Sequence, residues 1–206
     1  MENNSLILGR KYFGKPENIG NVISKEEAFL LLNDWVKNEK LKAHMIQVAH
    51  LMRRFAESKN YSNEVCHKWY LAGLLHDADW DQWPDQHCRK IIEELESRNI
   101  DPEIIRAIAS HGPRYFGVEP ESEIDKMLYA FDELSGFVHA YSLMRPTAYE
   151  GMEVKGVKKR LKDKTFAAQV SREDIADACN RAQVSLENLI DFVIIHQIDA
   201  LGETLQ

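Results

Sequence analysis

The chain has 206 residues, 44 % of them apolar and 29 % charged, with a formal net charge of −7. That length fits one domain with a substantial core. The acidic balance argues against attachment to nucleic acid or to anionic lipid by general electrostatics, although a small phosphorylated substrate needs only a local basic site. Cys66, Cys88 and Cys179 stand far apart with no CxxC pair, which argues against a disulfide framework or a zinc–thiolate site. Met1 to Arg10 lack the basic-then-apolar pattern of a signal peptide, and no apolar stretch approaches the ~20 residues that span a bilayer. The expected location is the cytoplasm, with no membrane partner.

Residues 1–23 carry glycines and a proline with little periodicity and read as an N-terminal extension. Residues 24–206 read as one helical domain. Ser24, with Glu27 three residues on, is a capping box that opens a first helix ending near Asn38. A second helix, about Leu41 to Ser58, has the stripe Leu41, His44, Val48, Leu51, Met52 and Phe55. His50 lies about 120° from His44 at 3.6 residues per turn. It shares a face with Gln47 and Arg54, so His44 is the inward histidine of the pair.

Ser62 caps a third helix, Asn63 to about Leu75. Asp79 to Asp85 then reads as a loop, and Gln86 to Arg98 as a fourth helix with His87, Ile91 and Leu95 on one stripe. Asp101-Pro102 is an N-cap with proline at the first helical position. The helix it opens has Ile104, Ile105, Ile108 and His111 on one stripe before Gly112-Pro113 stops it. A long helix runs from Glu121 or Ser122 to about Met144. Asp132 is embedded in its apolar face, and Gly136 offers room for close helix approach. Ser171 and Ser185 open two more helices. No β-rich alternation and no internal repeat stand out, so the expected fold is all-α, a compact bundle of roughly eight helices.

The chemistry concentrates in Leu71 to Trp80. An apolar run ends in His76 and Asp77, and charges in apolar surroundings are expensive unless paired or bound to a metal. Together with His44 and Asp132 they make a His/His/Asp/Asp set drawn from three helices. Such a mixed nitrogen–oxygen set suits Mn, Fe, Co, Ni or Zn and is too nitrogen-rich for a dedicated Ca or Mg cage. Four protein ligands leave coordination positions open on a six-coordinate ion, as in catalytic sites. Each residue also has a plainer reading. His76-Asp77 could be a helix end with a solvated Asp, His44 a core histidine bonded to a carbonyl, and Asp132 a buried ion-pair partner.

The order His…His-Asp…Asp on successive helices resembles the HD-domain metal-dependent phosphohydrolases. Residues 42–45, 73–80, 83–87, 107–112, 130–137 with Arg145-Pro146, and 162–167 before Arg172-Glu173 carry the likeness. The chain is similar to a bacterial subgroup of small stand-alone HDIG-type proteins from about Ser24 onward, with Ala78-Asp79 where the subgroup label reads Ile-Gly. The resemblance implies that His44, His76, Asp77 and Asp132 bind one divalent transition metal. In members with two ions, Asp77 bridges, and His87 and His111 hold the second. In members with one ion, such positions contact phosphate or help proton transfer. It further implies hydrolysis of a phosphoester of a small phosphorylated compound, a nucleotide among the candidates, by metal-bound hydroxide. Asp79 is the candidate for orienting the water, His111 for bonding phosphate or protonating the leaving group, and Arg145, Lys158 and Lys159 for binding substrate phosphate. The alternatives are a phosphodiesterase of a cyclic or linear nucleotide, oxygenase chemistry on a dinuclear iron centre, and a non-catalytic signalling or binding module. His50, His67, His139 and His196 read as structural.

Overall fold

A computed structural model of the chain describes residues 20–202. Much of the N-terminal extension lies outside the described residues. Among the described residues there are ten α-helices and two 3₁₀ turns, with no strand. The helices are α1 (Lys25–Trp35), α2 (Glu39–Ser58), α3 (Asn63–Leu75), α4 (Arg89–Ser97), α5 (Pro102–Ala109), α6 (Pro113–Phe116), α7 (Glu123–Leu143), α8 (Val154–Leu161), α9 (Arg172–Ala182) and α10 (Leu186–His196). The 3₁₀ turns are Pro84–Gln86 and Gln197–Gly202.

Local chemistry sets most of the boundaries. Ser24 and Glu27 form the expected capping box, and Ser122 and Asp125 form a second. Ser62, Ser171 and Ser185 cap α3, α9 and α10 through their hydroxyls, each cap being worth roughly 0.5–2 kcal/mol. Asp101 caps α5 with Pro102 at its first position. The short α6 begins on Pro113, at the stop expected there.

The centre of the bundle is α3, which packs against α2 on one side and α5 on the other, while α7 crosses α2. Leu71, Leu74 and Leu75 are fully buried, each such side chain contributing about 1.5–3 kcal/mol. The close approach of α2 and α3 depends on Gly73, where an added Cβ would lie 2.7 Å from the Ala49 Cα. Gly136 plays no such part: no atom lies within 4 Å of the place its Cβ would take. The tight contact is therefore on α3, not on α7 as expected.

Two further expectations change. Gln47, grouped with His50 and Arg54, is only 1 % exposed, because α2 is covered by α7 and by the C-terminal 3₁₀ turn on that flank. His87 is not on a helix. Pro84 starts a 3₁₀ turn, Cys88 takes φ +67°, and α4 begins only at Arg89. The three cysteines are free and buried, and among the described residues no helix is long and apolar enough to cross a membrane.

Candidate metal centre

The α3 helix stops by spending its last carbonyls on His76. The ring Nδ1 of His76 lies 2.8 Å from the Gly73 carbonyl. A carbonyl can only accept, so Nδ1 carries the proton and the Nε2 lone pair faces inward. Ala78 N–H bonds the Leu75 carbonyl at 3.2 Å and Trp80 N–H bonds the Asp77 carbonyl at 3.0 Å. These turns leave Asp77 beside His76 at the head of the helix.

His44 arrives from α2 and Asp132 from α7. His44 Nε2 stands 3.0 Å from Asp132 Oδ1 and 4.0 Å from Asp77 Oδ2. His76 Nε2 stands 3.4 Å from Asp132 Oδ1 and 3.5 Å from Asp77 Oδ2. One ligand atom from each of these four residues lies within 4.8 Å of every other, so three helices converge on one cation-sized position.

A second group shares Asp77. Its other oxygen, Oδ1, is 3.3 Å from His87 Nε2 and 3.5 Å from His111 Nε2, and the three again lie within 4.8 Å of one another. His111 ends α5 as His76 ends α3. Its Nδ1 is 2.5 Å from the Ile108 carbonyl, which puts the proton there and turns the Nε2 lone pair to the centre. His87 is oriented from behind by Asp79, whose Oδ1 is 2.7 Å from Nδ1. Phe116 packs against both rings, at 5.2 Å from His87 and 5.1 Å from His111, and Trp80 meets His87 edge-on at 4.7 Å.

The residues fit a cation. His76 Nε2 is buried without a hydrogen-bond partner, a costly state for a ring nitrogen unless something binds its lone pair. Burial lowers the His76 pKa, but Asp77 and Asp132 outweigh it and raise the pKa well above the usual imidazole value. Burial raises the Asp77 pKa, and the neighbouring His76 and His111 outweigh that and hold it well below the usual carboxylate range. Asp132 is likewise held low against its burial, by His44 and His76. The two carboxylates thus favour positive charge at His76, and a divalent ion bound there would take the place of the proton. Glu133, next to Asp132, is pushed up to about 8 by burial first and by the Asp132 charge second. Its Oε2 accepts the Ser171 N–H at 3.0 Å, so it braces α9 against α7.

The geometry places several other nominated residues as follows. Asp79 is fully buried, with one oxygen on His87 and the other accepting the Ile91 N–H at 2.9 Å. It caps α4 from outside and has no free oxygen for a reacting water. His111 spends its Nδ1 proton on the Ile108 carbonyl, which leaves Nε2 facing the centre in the place of a ligand atom. Arg145 folds back on its own loop, donating to the carbonyls of Ala148 and Glu150. Lys158 pairs with Glu187 and, with Lys162, lines a cavity of about 610 Å³ between α8, α9 and α10. Lys159 is exposed. Among the described residues none of these three cations contacts a candidate ligand.

Residues 41–136 match the family model of the HD domain, an all-α domain of the metal-dependent phosphohydrolase superfamily, which supports the resemblance drawn from the sequence. The match contains all six candidate ligands. Comparison with curated proteins and with solved structures gave no significant match.

Proposed function

We propose that the chain is a metal-dependent phosphohydrolase that cleaves a phosphoester of a small phosphorylated compound, nucleotides included, with one or two divalent transition-metal ions. The supporting observation is Asp77, whose two oxygens face two different groups, His44/His76/Asp132 and His87/His111. In this reading His44, His76, Asp77 and Asp132 hold one ion, and Asp77, His87 and His111 hold a second. When bound, such ions supply Lewis-acid polarisation and a water that ionises near neutral pH. The protein's own part is orientation. Gly73, Ile108 and Asp79 fix three imidazoles so that their lone pairs converge, and the buried α3 end excludes bulk water behind them. The choice of Mn, Fe, Co, Ni or Zn over Mg follows from the nitrogen content of the set.

A panel of phosphate monoesters and diesters, each with Mn, Co, Ni and Mg, tests the proposal and separates monoesterase from diesterase action. Turnover that disappears in Asp77→Ala supports it. No turnover of any ester with any metal contradicts it. A protein that purifies without metal, with stability unchanged by Asp77→Ala, favours the non-catalytic module instead. The second ligand group also supports a reading as a dinuclear iron oxygenase. Two irons per chain with oxygen consumption would favour that reading, and one metal per chain would count against it.

A further inference from the structure

His139 has no part in the centre described so far. It lies on α7 seven residues after Asp132, two turns further along the same stripe. It touches α2 through Gln47, one turn beyond His44. Its tautomer is set by a chain of hydrogen bonds that begins at a backbone carbonyl.

Ser135 C=O accepts from Gln197 Nε2 at 3.0 Å. A carbonyl only accepts, so the Gln197 amide must turn its NH₂ toward it. The same NH₂ donates to Gln47 Oε1 at 2.8 Å. Gln47 therefore turns its own NH₂ to His139 Nδ1, 3.2 Å away, and Nδ1 must accept. The Tyr149 hydroxyl, 3.0 Å from the same Nδ1, is a second donor to it. The remaining ring proton sits on Nε2. Gln47 and Gln197 are 1 % and 0 % exposed, so water does not scramble the pattern.

This is the opposite arrangement to that of His76 and His111. Those rings spend their Nδ1 protons on carbonyls and present Nε2 lone pairs. His139 presents an Nε2–H, and a ring in that form offers a hydrogen bond where a ligand would offer a lone pair. The residue is half-buried, and its Nε2 has no hydrogen-bond partner among the described residues. Burial, with His44 as the second cause, holds its pKa below the usual imidazole value. Protonating Nδ1 would also set it against the Gln47 NH₂. Both effects favour the neutral ring.

We propose that His139 is a substrate-binding residue whose Nε2–H donates a hydrogen bond to a phosphoryl oxygen of the ester held beside His44 and Asp132. The proposal rests on the phosphohydrolase reading. It supplies a proton-bearing group on the α2–α7 side of the centre that the ligand histidines do not.

The test compares wild type, His139→Phe and His139→Gln, all loaded with the same metal. Phe keeps a flat ring without the donor, and the Gln amide nitrogen reaches close to the place of Nε2. Metal per chain stays equal in all three. For the best ester of the panel, KM rises about 10- to 100-fold in His139→Phe, the loss expected for one hydrogen bond to a charged acceptor. Inhibition by inorganic phosphate weakens in parallel, and His139→Gln recovers most of both. Equal behaviour of His139→Phe and wild type overturns the proposal, as does a His139→Gln variant as impaired as His139→Phe. Independently of any variant, ¹⁵N shifts of the zinc-loaded wild-type protein report the Nε2–H form of His139 between pH 6 and 8, and an Nδ1–H form overturns the proposal. A wild-type protein that turns over no ester and binds no inorganic phosphate sinks the phosphohydrolase reading and this inference with it. An active wild type with unaffected variants sinks this inference alone.

Discussion

Asp79 holds His87 and the start of α4 with one carboxylate: Oδ1 meets His87 Nδ1 at 2.7 Å and Oδ2 accepts the Ile91 N–H at 2.9 Å. The pairing explains how a histidine outside any helix keeps a fixed orientation. It also explains how α4, whose own N-cap residue Cys88 supplies no side-chain cap, has one of its first amide protons satisfied.

Asp79→Asn can serve only one of these bonds, because an amide oxygen turned to His87 leaves NH₂ facing the Ile91 N–H. Metal affinity at the position shared by Asp77, His87 and His111 should fall about 10- to 100-fold, the usual effect of losing a group that orients a ligand histidine. The position shared by His44, His76 and Asp132 should be unaffected. Stepwise metal titration with the ion count per chain separates the two positions. Equal loss at both contradicts the assignment.

Asp77→Ala should abolish binding at both positions, whereas His111→Ala should leave one ion per chain. Elemental analysis of the purified proteins gives the counts directly. Chelation should lower thermal stability of the wild-type protein, since an ion present at 100 times its Kd stabilises the folded state by roughly 2.7 kcal/mol. Asp77→Ala should be insensitive to chelator.

Gly73→Ala should destabilise the fold by about 1–3 kcal/mol, the usual cost of forcing atoms into a filled interface, because its Cβ would lie 2.7–2.9 Å from the backbone of Val48 and Ala49. Gly136→Ala should stabilise α7 by roughly 0.5–1 kcal/mol, the helix preference of alanine. Urea denaturation of both variants reads both signs. A tolerated Gly73→Ala would refute the close α2–α3 packing.

Lys68 on α3 bonds the buried carboxylate of Asp101 at 2.8 Å, which, against burial, raises the lysine pKa above its ordinary 10.5. A raised lysine pKa means stability that is fully present below pH 10.5 and lost as pH climbs through the higher folded value. Lys68→Met should therefore be less stable than wild type at pH 8 to 9, because Asp101 is left buried and unpaired. The gap should narrow above pH 10.5. Thermal melts across that range measure it, and a gap that widens with alkalinity would contradict the pairing.

The helix starts were readable because capping is a contact between residues two or three apart. Ser24, Ser62, Asp101, Ser171 and Ser185 each carry their instruction locally. The all-α class followed from the same periodicity and caps. Cys88 shows where this reading fails. Its positive φ falls between the 3₁₀ turn and the Asp79-capped start of α4, and nothing in the spacing of His87, Ile91 and Leu95 signals it. The short α6 was likewise hidden in four residues, too few for a period to show.

Helical phase and residue type sufficed to nominate His44, His76, Asp77 and Asp132, because a charged group on an apolar stripe is conspicuous wherever the stripe packs. Phase does not reveal what a side chain meets on another helix. Only the packed structure decided that the two oxygens of Asp77 face different histidine groups, that Asp79 turns away from the centre, and that Arg145 and Lys158 are occupied elsewhere. It also decided which nitrogen of His139 bears the proton, because that choice runs from the Ser135 carbonyl on the same helix through Gln197 and Gln47 on two other elements. Caps and stripes are written in neighbouring residues, whereas donor direction depends on partners brought together from distant parts of the chain.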